Sequence, residues 1–273
     1  MPRIAIATND FEQTISLFRD QFGMPVIDMS ATSVDSLGAK LGMCVPPGGS
    51  NIELMCPAVA EAALSQSLQR FLDRRGEGLF ALMLEAPDPD AEAQRLLANG
   101  LNVLPLMAGA GGRDIHPNST HGVLIRIYPD NSFQGHEDET KESLALSGIV
   151  RVVIAVRDLD AATSVYGEKL GLAVDAQVID AARGVRSILC HPPSGGVIEL
   201  VSVHDSEQRF AEQVQQFLSE RGEGMYMLYL QSSELERSVS GLNERGLAVN
   251  ESGVSPEIVP SPSCVVRIGI EVG

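Results

Sequence analysis

The segment Phe71-Leu-Asp-Arg-Arg-Gly-Glu-Gly-Leu79 decides the fold, because it returns later as Phe217-Leu-Ser-Glu-Arg-Gly-Glu-Gly-Met225. The offset between the two copies is 217 − 71 = 146 residues. The same offset relates Ile52-Glu-Leu54 to Ile198-Glu-Leu200, so the similarity keeps its register over a long stretch of chain. The sequence is therefore an internal duplication, and the two halves are expected to share one fold.

The offset changes slightly towards the two ends of the repeat. It is 151 − 3 = 148 between Arg3 and Arg151, and 267 − 126 = 141 between Arg126 and Arg267. Insertions and deletions of a few residues in surface loops account for shifts of this size. On this alignment, Arg126 and Arg267 are predicted to be equivalent residues.

The length of 273 residues is also that of two ordinary domains. Between the copies, residues 134–142 are polar, acidic and without any apolar period, which is typical of a linker. We therefore predict a first domain over residues 1–133, an acidic linker over 134–147, and a second domain over 148–273.

The negative net charge of the chain argues against nucleic acid and anionic membranes as binding partners. Lys and Arg number 20 and Asp and Glu number 36, which gives a net charge of −16. Such a surface repels nucleic acid and anionic membranes, so neither is expected as a partner. No apolar run is long enough for a membrane span, and no secretory leader is evident, so a cytoplasmic protein is predicted.

Hydrophobic periodicity predicts an α+β fold. In the first half, a short apolar strand over residues 4–7 is followed by Phe11, Ile15, Phe18 and Phe22, which recur as on one face of a helix that Gly23 ends. Asn9 and Asp158 are the predicted helix N-caps. A hairpin then follows, and the strand–helix–strands unit is repeated, with strands over 79–85, 102–106 and 123–128 and a helix over 87–98.

These segments resemble those of the vicinal oxygen chelate superfamily, and within it most of all the methylmalonyl-CoA epimerases. The similarity lies in Arg3-Ile-Ala-Ile-Ala7, Ile52-Glu-Leu54, Phe71 to Gly78 and His116-Pro-Asn-Ser-Thr-His-Gly-Val-Leu-Ile-Arg126, and in their second-half counterparts. The resemblance implies two tandem domains, each built of two βαβββ modules that form a cup-shaped mixed sheet. In that family a metal is held in the cup by two His, one Gln or Glu, and a last-strand Glu.

At three of those four positions this chain carries residues other than the His and Glu ligands of the family. The first-strand His is replaced by Arg3 and Arg151, the fifth-strand His by Ala81 and Met227, and the last-strand Glu by Arg126 and Arg267. Only Glu53 and Glu199 remain, and the additional glutamate of the epimerases falls at Leu41 and Ser187. Since a guanidinium is not a metal ligand, we predict no metal site and no metal cofactor.

Each half is thus predicted to place one glutamate between two arginines, Glu53 with Arg3 and Arg126, and Glu199 with Arg151 and Arg267. One carboxylate and two guanidinium groups leave a charge of +1, which suits an oxyanion or a carboxylate. These six residues are the predicted catalytic set, with either glutamate as general base. The alternative is that the same charges only form structural salt bridges.

Further residues are candidates for ligand contact. His116 begins the loop before the last strand of the first half. The inner face of the sheet is also expected to carry four apolar or aromatic residues, Ala81, Met83, Met227 and Tyr229. These residues would suit contact with the apolar part of a ligand, but ordinary core packing predicts the same residue types. No nucleotide-binding fingerprint is present, so no nucleotide cofactor is predicted.

The leading functional hypothesis is a metal-independent isomerase, epimerase or lyase that acts on a small carboxylate or acyl thioester through an enolate held by arginine. The alternative is a metal-free protein that binds or sequesters a small, anionic, partly apolar ligand. A third possibility is a scaffold whose cups are filled by side chains. A monomer and a homodimer are both compatible with two cups in tandem.

Overall fold

The computed structural model of the protein describes residues 3–107, 109–132, 144–262 and 264–273. Each half forms one mixed sheet with helices, which confirms the α+β fold and the duplication. The predicted linker lies outside the described residues from 134 to 143, together with His136, while its last two residues, Leu146 and Ser147, already belong to a strand.

The first half is a seven-stranded sheet made of two modules. Its elements are β1 (Arg3–Ala7), α1 (Phe11–Ser16), β2 (Val26–Asp28), α2 (Ser30–Leu37), β3 (Ala39–Cys44), β4 (Asn51–Pro57), α3 (Ala63–Arg75), β5 (Gly78–Ala86), α4 (Pro89–Ala98), β6 (Arg113–Ile115) and β7 (Leu124–Pro129). The strand order is β2-β3-β4-β1-β5-β7-β6. The modules meet along β1 and β5, which are antiparallel, while β1 is parallel to β4 and β5 is parallel to β7.

The second half repeats this plan with nine strands. Its elements are β8 (Leu146–Ala155), α5 (Leu159–Thr163), β9 (Ala173–Val174), β10 (Val178–Asp180), β11 (Val185–His191), β12 (Val197–Val203), α6 (Arg209–Glu220), β13 (Gly224–Ser232), α7 (Leu235–Glu244), β14 (Val249–Asn250), β15 (Glu257–Ile258) and β16 (Ile268–Val272). The order is β10-β11-β12-β8-β13-β16-β15-β14, and β9 pairs with β11 outside this path. A tight turn replaces the α2 helix of the first half.

The first helix of each half begins at an aspartate. The Asp158 carboxylate accepts a hydrogen bond from the backbone of Ala161, as predicted, but in the first half the cap is Asp10 rather than Asn9. Both helices continue into a π-helical turn, over Leu17–Gln21 and Ser164–Lys169. Gly23, at φ 66°, then lets the backbone leave the first of these turns in a left-handed conformation.

Some elements differ from the sequence prediction. The prediction of a strand over residues 102–106 is wrong, because Val103 makes only an isolated bridge to Ile115. The short strand β6 lies at the edge of the sheet instead. A strand of three residues carries too little periodicity to be recognised. The helices α2, α3 and α6 were not predicted either.

Each sheet has an outer and an inner face. The outer faces, with residues such as Ile4, Ile52 and Ile154, contribute to one hydrophobic core that both halves share. The inner faces have separate cores, in which Leu68 of α3 packs near Ala5 in the first half and Val214 of α6 near Val153 in the second. The inner face is therefore partly covered by one helix in each half.

The repeated Arg-Gly-Glu-Gly segments join the halves reciprocally. Arg75 Nη1 donates to the carbonyl of Glu223 at 2.8 Å, and Arg221 Nη1 donates to the carbonyl of Glu77 at 3.2 Å. A Cβ atom on Gly122 would lie 1.9 Å from the Glu223 carbonyl oxygen, so this contact requires glycine. The motif that reveals the duplication thus also contributes contacts between its copies.

Within the described residues, the helices are too short or too polar to cross a lipid bilayer.

Candidate functional site

Strand register brings Arg3, Glu53 and Arg126 to the inner face of the first sheet. Arg3 on β1 lies opposite Met83 on β5, and Met83 lies opposite Arg126 on β7. Glu53 lies on β4, opposite Ala5 of β1. Because side chains alternate along a strand, the neighbours of these three residues face the outer core, while the three charged groups point inward.

Glu53 is a buried carboxylate with incomplete hydrogen bonding. Its residue is 5% exposed, and its Oε2 atom has no hydrogen-bond partner in the part of the chain that the structure describes. Burial raises the pKa of the Glu53 carboxyl above its ordinary value, although the charges of Arg3 and Arg126 oppose this rise. A buried acceptor of this kind is costly for the fold, and such groups concentrate at functional sites.

Arg126 is bound by a carboxylate that the sequence analysis did not include. Its Nε and Nη2 atoms donate to the two oxygens of Asp114 on β6, both at 2.6 Å. Burial alone would lower the pKa of Arg126, but the hydrogen bonds and charge of Asp114 raise it above its ordinary value. With Asp114 included, two cations and two carboxylates sum to zero, so the predicted charge of +1 in this half is wrong.

Tyr128 and Met107 complete the surroundings of the two arginines. The Arg3 guanidinium lies 4.2 Å from the centre of the Tyr128 ring, and Arg3 Nη2 donates to Ser132 Oγ at 3.0 Å. The Tyr128 hydroxyl accepts a hydrogen bond from Arg126 Nη1 at 3.4 Å, and the Met107 sulfur lies 4.0 Å from Arg126 Nη2. Burial, followed by the charge of Glu53, raises the pKa of the Tyr128 phenol.

The equivalent glutamate of the second half is fully engaged. Glu199 is 1% exposed, accepts a hydrogen bond from Arg151 Nη1 at 2.8 Å, and forms an ion pair with Arg183. Arg151 also pairs with Glu271 on β16, while Arg183 pairs with Asp180 at 2.6 Å. The Arg151 guanidinium therefore lies between two carboxylates, and the predicted net charge of +1 is also wrong in this half.

Arg267 does not join Glu199, and this part of the prediction is wrong. Tyr229 lies opposite Gly269, as Met83 lies opposite Arg126, so Gly269 is the spatial equivalent of Arg126. A Cβ atom on Gly269 would lie 2.3 Å from the Tyr229 ring, which occupies this space and stacks on Arg151 at 4.2 Å. The offset between the two copies at β16 is therefore 269 − 126 = 143. The Arg267 guanidinium instead lies 5.2 Å from the centre of the Tyr226 ring.

A cavity of about 390 Å³ opens beside the charge network of the second half. Its lining includes Arg183, Arg209, Phe210, Gln213, Tyr229 and Glu257. Burial raises the pKa of the Glu257 carboxyl, while the charges of Arg267 and Arg209 oppose that rise. Amide, guanidinium and aromatic groups therefore face one space large enough for a small organic molecule.

Within the described residues, neither half has a donor set that fits a divalent cation. In the first half the four positions implied by the resemblance hold Arg3, Glu53, Ala81 and Arg126, of which only the glutamate is a ligand type. In the second half, Glu199 and Glu271 are bridged by a guanidinium. Among the described residues, no three His, Cys, Asp or Glu side chains are grouped so that they could hold a metal ion.

The remaining predicted contact residues divide into two groups. Ala81, Met83, Met227 and Tyr229 do lie in the inner-face cores, all nearly fully buried, and of these Tyr229 lines the second-half cavity. His116 instead has a local structural contact, because its Nδ1 accepts a hydrogen bond from the backbone of Asn118 at 3.1 Å and caps a short turn.

Four residues of the two charge networks were not predicted from the sequence: Asp114, Tyr128, Arg183 and Glu271. Tyr128 and Glu271 could have been found by alternation along the last strand, since each lies two residues beyond an inward-facing position. Asp114 required recognition of the three-residue β6, and Arg183 lies in a turn with no first-half counterpart.

Comparison with known proteins gives one family match and several structural neighbours. The model of the Glyoxalase/Bleomycin resistance protein/Dioxygenase superfamily matches residues 3–116 and 151–259. No curated protein sequence matches the chain significantly.

Among solved structures, a mutant of 4-hydroxymandelate synthase from Streptomyces coelicolor is similar over 100% of this chain and 92% of its own, at 14% identity and a TM-score of 0.72. A xylose isomerase-like TIM barrel/4-hydroxyphenylpyruvate dioxygenase fusion protein is similar over 92% of this chain and 39% of its own, at 16% identity and a TM-score of 0.62. A methylmalonyl-CoA epimerase from Mycobacterium tuberculosis is similar over 50% of this chain and 95% of its own, at 25% identity and a TM-score of 0.44. The first two similarities support the tandem fold.

Proposed function

We propose that this chain, which belongs to the Glyoxalase/Bleomycin resistance protein/Dioxygenase superfamily, is a metal-independent proton-transfer enzyme of the isomerase, epimerase or lyase type. Its reaction takes place in the first half, on a small carboxylate or acyl thioester with an acidic C–H bond. The observation that carries the proposal is Glu53, whose buried Oε2 atom lacks a hydrogen-bond partner among the described residues.

The chemistry requires a base and a means of holding an enolate. An ionised carboxylate with a raised pKa is a stronger base than a surface glutamate, so Glu53 suits removal of a proton next to a carbonyl group. Arg3 and Arg126 supply positive charge beside Glu53, and their burial strengthens attraction to negative charge that develops on the substrate. Arg126 is held in one orientation by Asp114.

Substrate must reach a site that side chains cover. Arg3, Glu53 and Arg126 are each about 5–6% exposed, and Met107 lies against Arg126. The Met107 side chain therefore has to move before a ligand touches the guanidinium. Methionine suits this role, because its unbranched side chain adopts several rotamers at low cost.

The test is hydrogen exchange in deuterated water with two probes, phenylpyruvate and propionyl-CoA, followed by NMR. We expect the protein to accelerate deuterium incorporation next to the carbonyl group of at least one probe. Glu53→Gln should lower that rate by at least about 100-fold, while Glu61→Gln, at an exposed glutamate of the same half, should not change it. Absence of exchange with both probes, or full exchange by Glu53→Gln, would reject the proposal.

A metal-free binding protein is the second candidate, and the 390 Å³ cavity of the second half favours it. Since Glu199 is held by two arginines, this half offers a binding surface rather than a base. Binding of phenylpyruvate there would raise the melting temperature without chemical change. That rise should disappear in Arg209→Met and persist in Glu53→Gln, and a rise that instead needs Glu53 would reject this candidate.

A further inference from the structure

We propose that the first half transfers protons on one face of its substrate only, with Glu53 as the sole base and the Tyr128 hydroxyl as hydrogen-bond donor to the enolate oxygen. This inference rests on the proposed function and narrows it to an isomerase of the tautomerase type. The substrate class is a 2-oxo acid or acyl thioester whose proton leaves and returns on the same side.

The count of carboxylates on the inner face supports a single base. Epimerisation by two bases needs a second acid or base on the opposite face of the carbon atom. Two further carboxylates are described on the inner face. Both oxygens of Asp114 accept hydrogen bonds from Arg126 at 2.6 Å. Glu85 lies opposite Tyr128, four residues along β5 from Ala81, whereas Glu53 is level with Ala81, so Glu85 does not lie beside Glu53. Leu41, which is 5% exposed within the inner core, offers no titratable group.

Tyr128 has the right chemistry to hold the enolate oxygen. Its own oxygen accepts from Arg126 Nη1, so the hydroxyl proton remains available for donation to a ligand. Its ring is fixed by the Arg3 guanidinium at 4.2 Å. Since burial and the charge of Glu53 raise the pKa of the phenol, Tyr128 keeps its proton at neutral pH and acts as a donor rather than as a base.

In the second half, the position equivalent to Tyr128 holds a glutamate, and this glutamate changes the charge beside the first-strand arginine. Glu271 is the register equivalent of Tyr128, since Gln231 lies opposite Glu271 and Glu85 lies opposite Tyr128. Glu271 forms an ion pair with Arg151 and thereby neutralises it, whereas the tyrosine packs on Arg3 without adding negative charge. At this position Tyr128 therefore adds no negative charge beside Arg3, whereas Glu271 adds one beside Arg151.

The reaction balances without an oxidant or a further reactant. The Glu53 carboxylate takes the proton, the C–H electron pair moves into the new carbon–carbon double bond, and the carbonyl electrons move to the oxygen that Tyr128 holds. The Glu53 carboxylic acid then returns the proton to the same face, at the original carbon atom or at a conjugated one. The π electron pair of the enolate, or of its conjugated extension, forms the new C–H bond, the oxygen electrons re-form the carbonyl group, and Glu53 is again a carboxylate.

The experiment counts deuterium atoms at the methylene group of phenylpyruvate or propionyl-CoA, whichever the wild-type protein exchanges. A one-face mechanism replaces one of the two methylene hydrogens and then stops at the uncatalysed rate, so the product carries one deuterium. Replacement of both hydrogens at similar catalysed rates would overturn the single-base assignment.

The role of Tyr128 is tested in the same assay with Tyr128→Phe, which retains the ring that packs on Arg3. We expect kcat to fall by about 100-fold, as for loss of one oxyanion donor, with KM nearly unchanged. Tyr226→Phe is the matched control in the second half and should keep wild-type exchange. A Tyr128→Phe rate within twofold of the wild-type rate overturns this role and leaves the proposed function standing, while no wild-type exchange rejects the proposed function itself.

Discussion

The two halves keep the same glutamate and the same first-strand arginine, yet they balance charge in different ways. Glu199 receives two guanidinium groups directly, whereas Glu53 has an Oε2 atom with no hydrogen-bond partner among the residues described. In the first half, Arg126 is instead bound by Asp114. The glutamate of the second half is therefore fully paired, whereas that of the first half keeps a buried oxygen without a hydrogen-bond partner among the described residues.

The difference arises from a few substitutions at equivalent strand positions. In the second half, the Tyr229 ring fills the space beside Gly269, so there is no room for a counterpart of Arg126. Arg183, from the turn that replaces α2, enters from another side and binds Glu199. A duplicated set of charges can thus become an ion-pair network in one copy while the other copy keeps an incompletely paired carboxylate.

The largest expected difference is in stability, between Glu199→Gln and the matched Glu53→Gln. Loss of the Glu199 charge leaves Arg151 and Arg183 without their shared carboxylate, and breaking a buried pair of this kind costs about 3 kcal/mol of unfolding free energy. Glu53→Gln should leave that free energy unchanged or raise it at pH 8, because burial of the ionised group is the largest influence on its pKa. Urea unfolding followed by circular dichroism measures both, and equal losses would contradict the contrast between the halves.

A smaller effect is expected in the pH dependence of stability. The pKa of Glu53 is raised in the folded protein, so its stabilising contribution is fully present below the ordinary value of 4.5 and is lost as pH rises through the folded value. The difference in melting temperature between wild type and Glu53→Gln should therefore change as the pH rises from 4.5 through the pKa of Glu53 in the folded protein. A difference that is constant from pH 4 to pH 8 would show that Glu53 has an ordinary pKa.

Much of this architecture could be predicted from the sequence because it depends on periodic signals. The repeat predicts the duplication, and the resemblance to the vicinal oxygen chelate superfamily implies that Arg3, Glu53, Arg151 and Glu199 face inward. The pairing of charges could not be predicted, because Asp114 lies on a three-residue strand and Arg183 in a turn. These ion pairs depend on how segments that are distant in sequence pack together, and such packing does not produce a periodic pattern in the sequence.

The prediction for Arg267 was wrong for a related reason. An offset of 141 aligns two arginines by identity, but the ladder between β13 and β16 sets the true equivalence at Gly269. A shift of two residues keeps a side chain on the same face of a strand, so the alternation pattern cannot reveal it.

The smallest expected effect is that of Arg267→Met, and it tests this register directly. If Arg267 were the counterpart of Arg126, its loss would disturb Glu199 and cost as much as removal of a buried ion-pair partner. Because Arg267 instead lies over the Tyr226 ring at 5.2 Å, its loss should cost only about 0.5 kcal/mol, the value of a partly exposed cation–π contact. The same urea unfolding measurement applies, and Arg126→Met, which leaves Asp114 buried without its partner, serves as the reference for a large loss. Equal losses in the two variants would restore the alignment by identity and remove the structural distinction between the two halves.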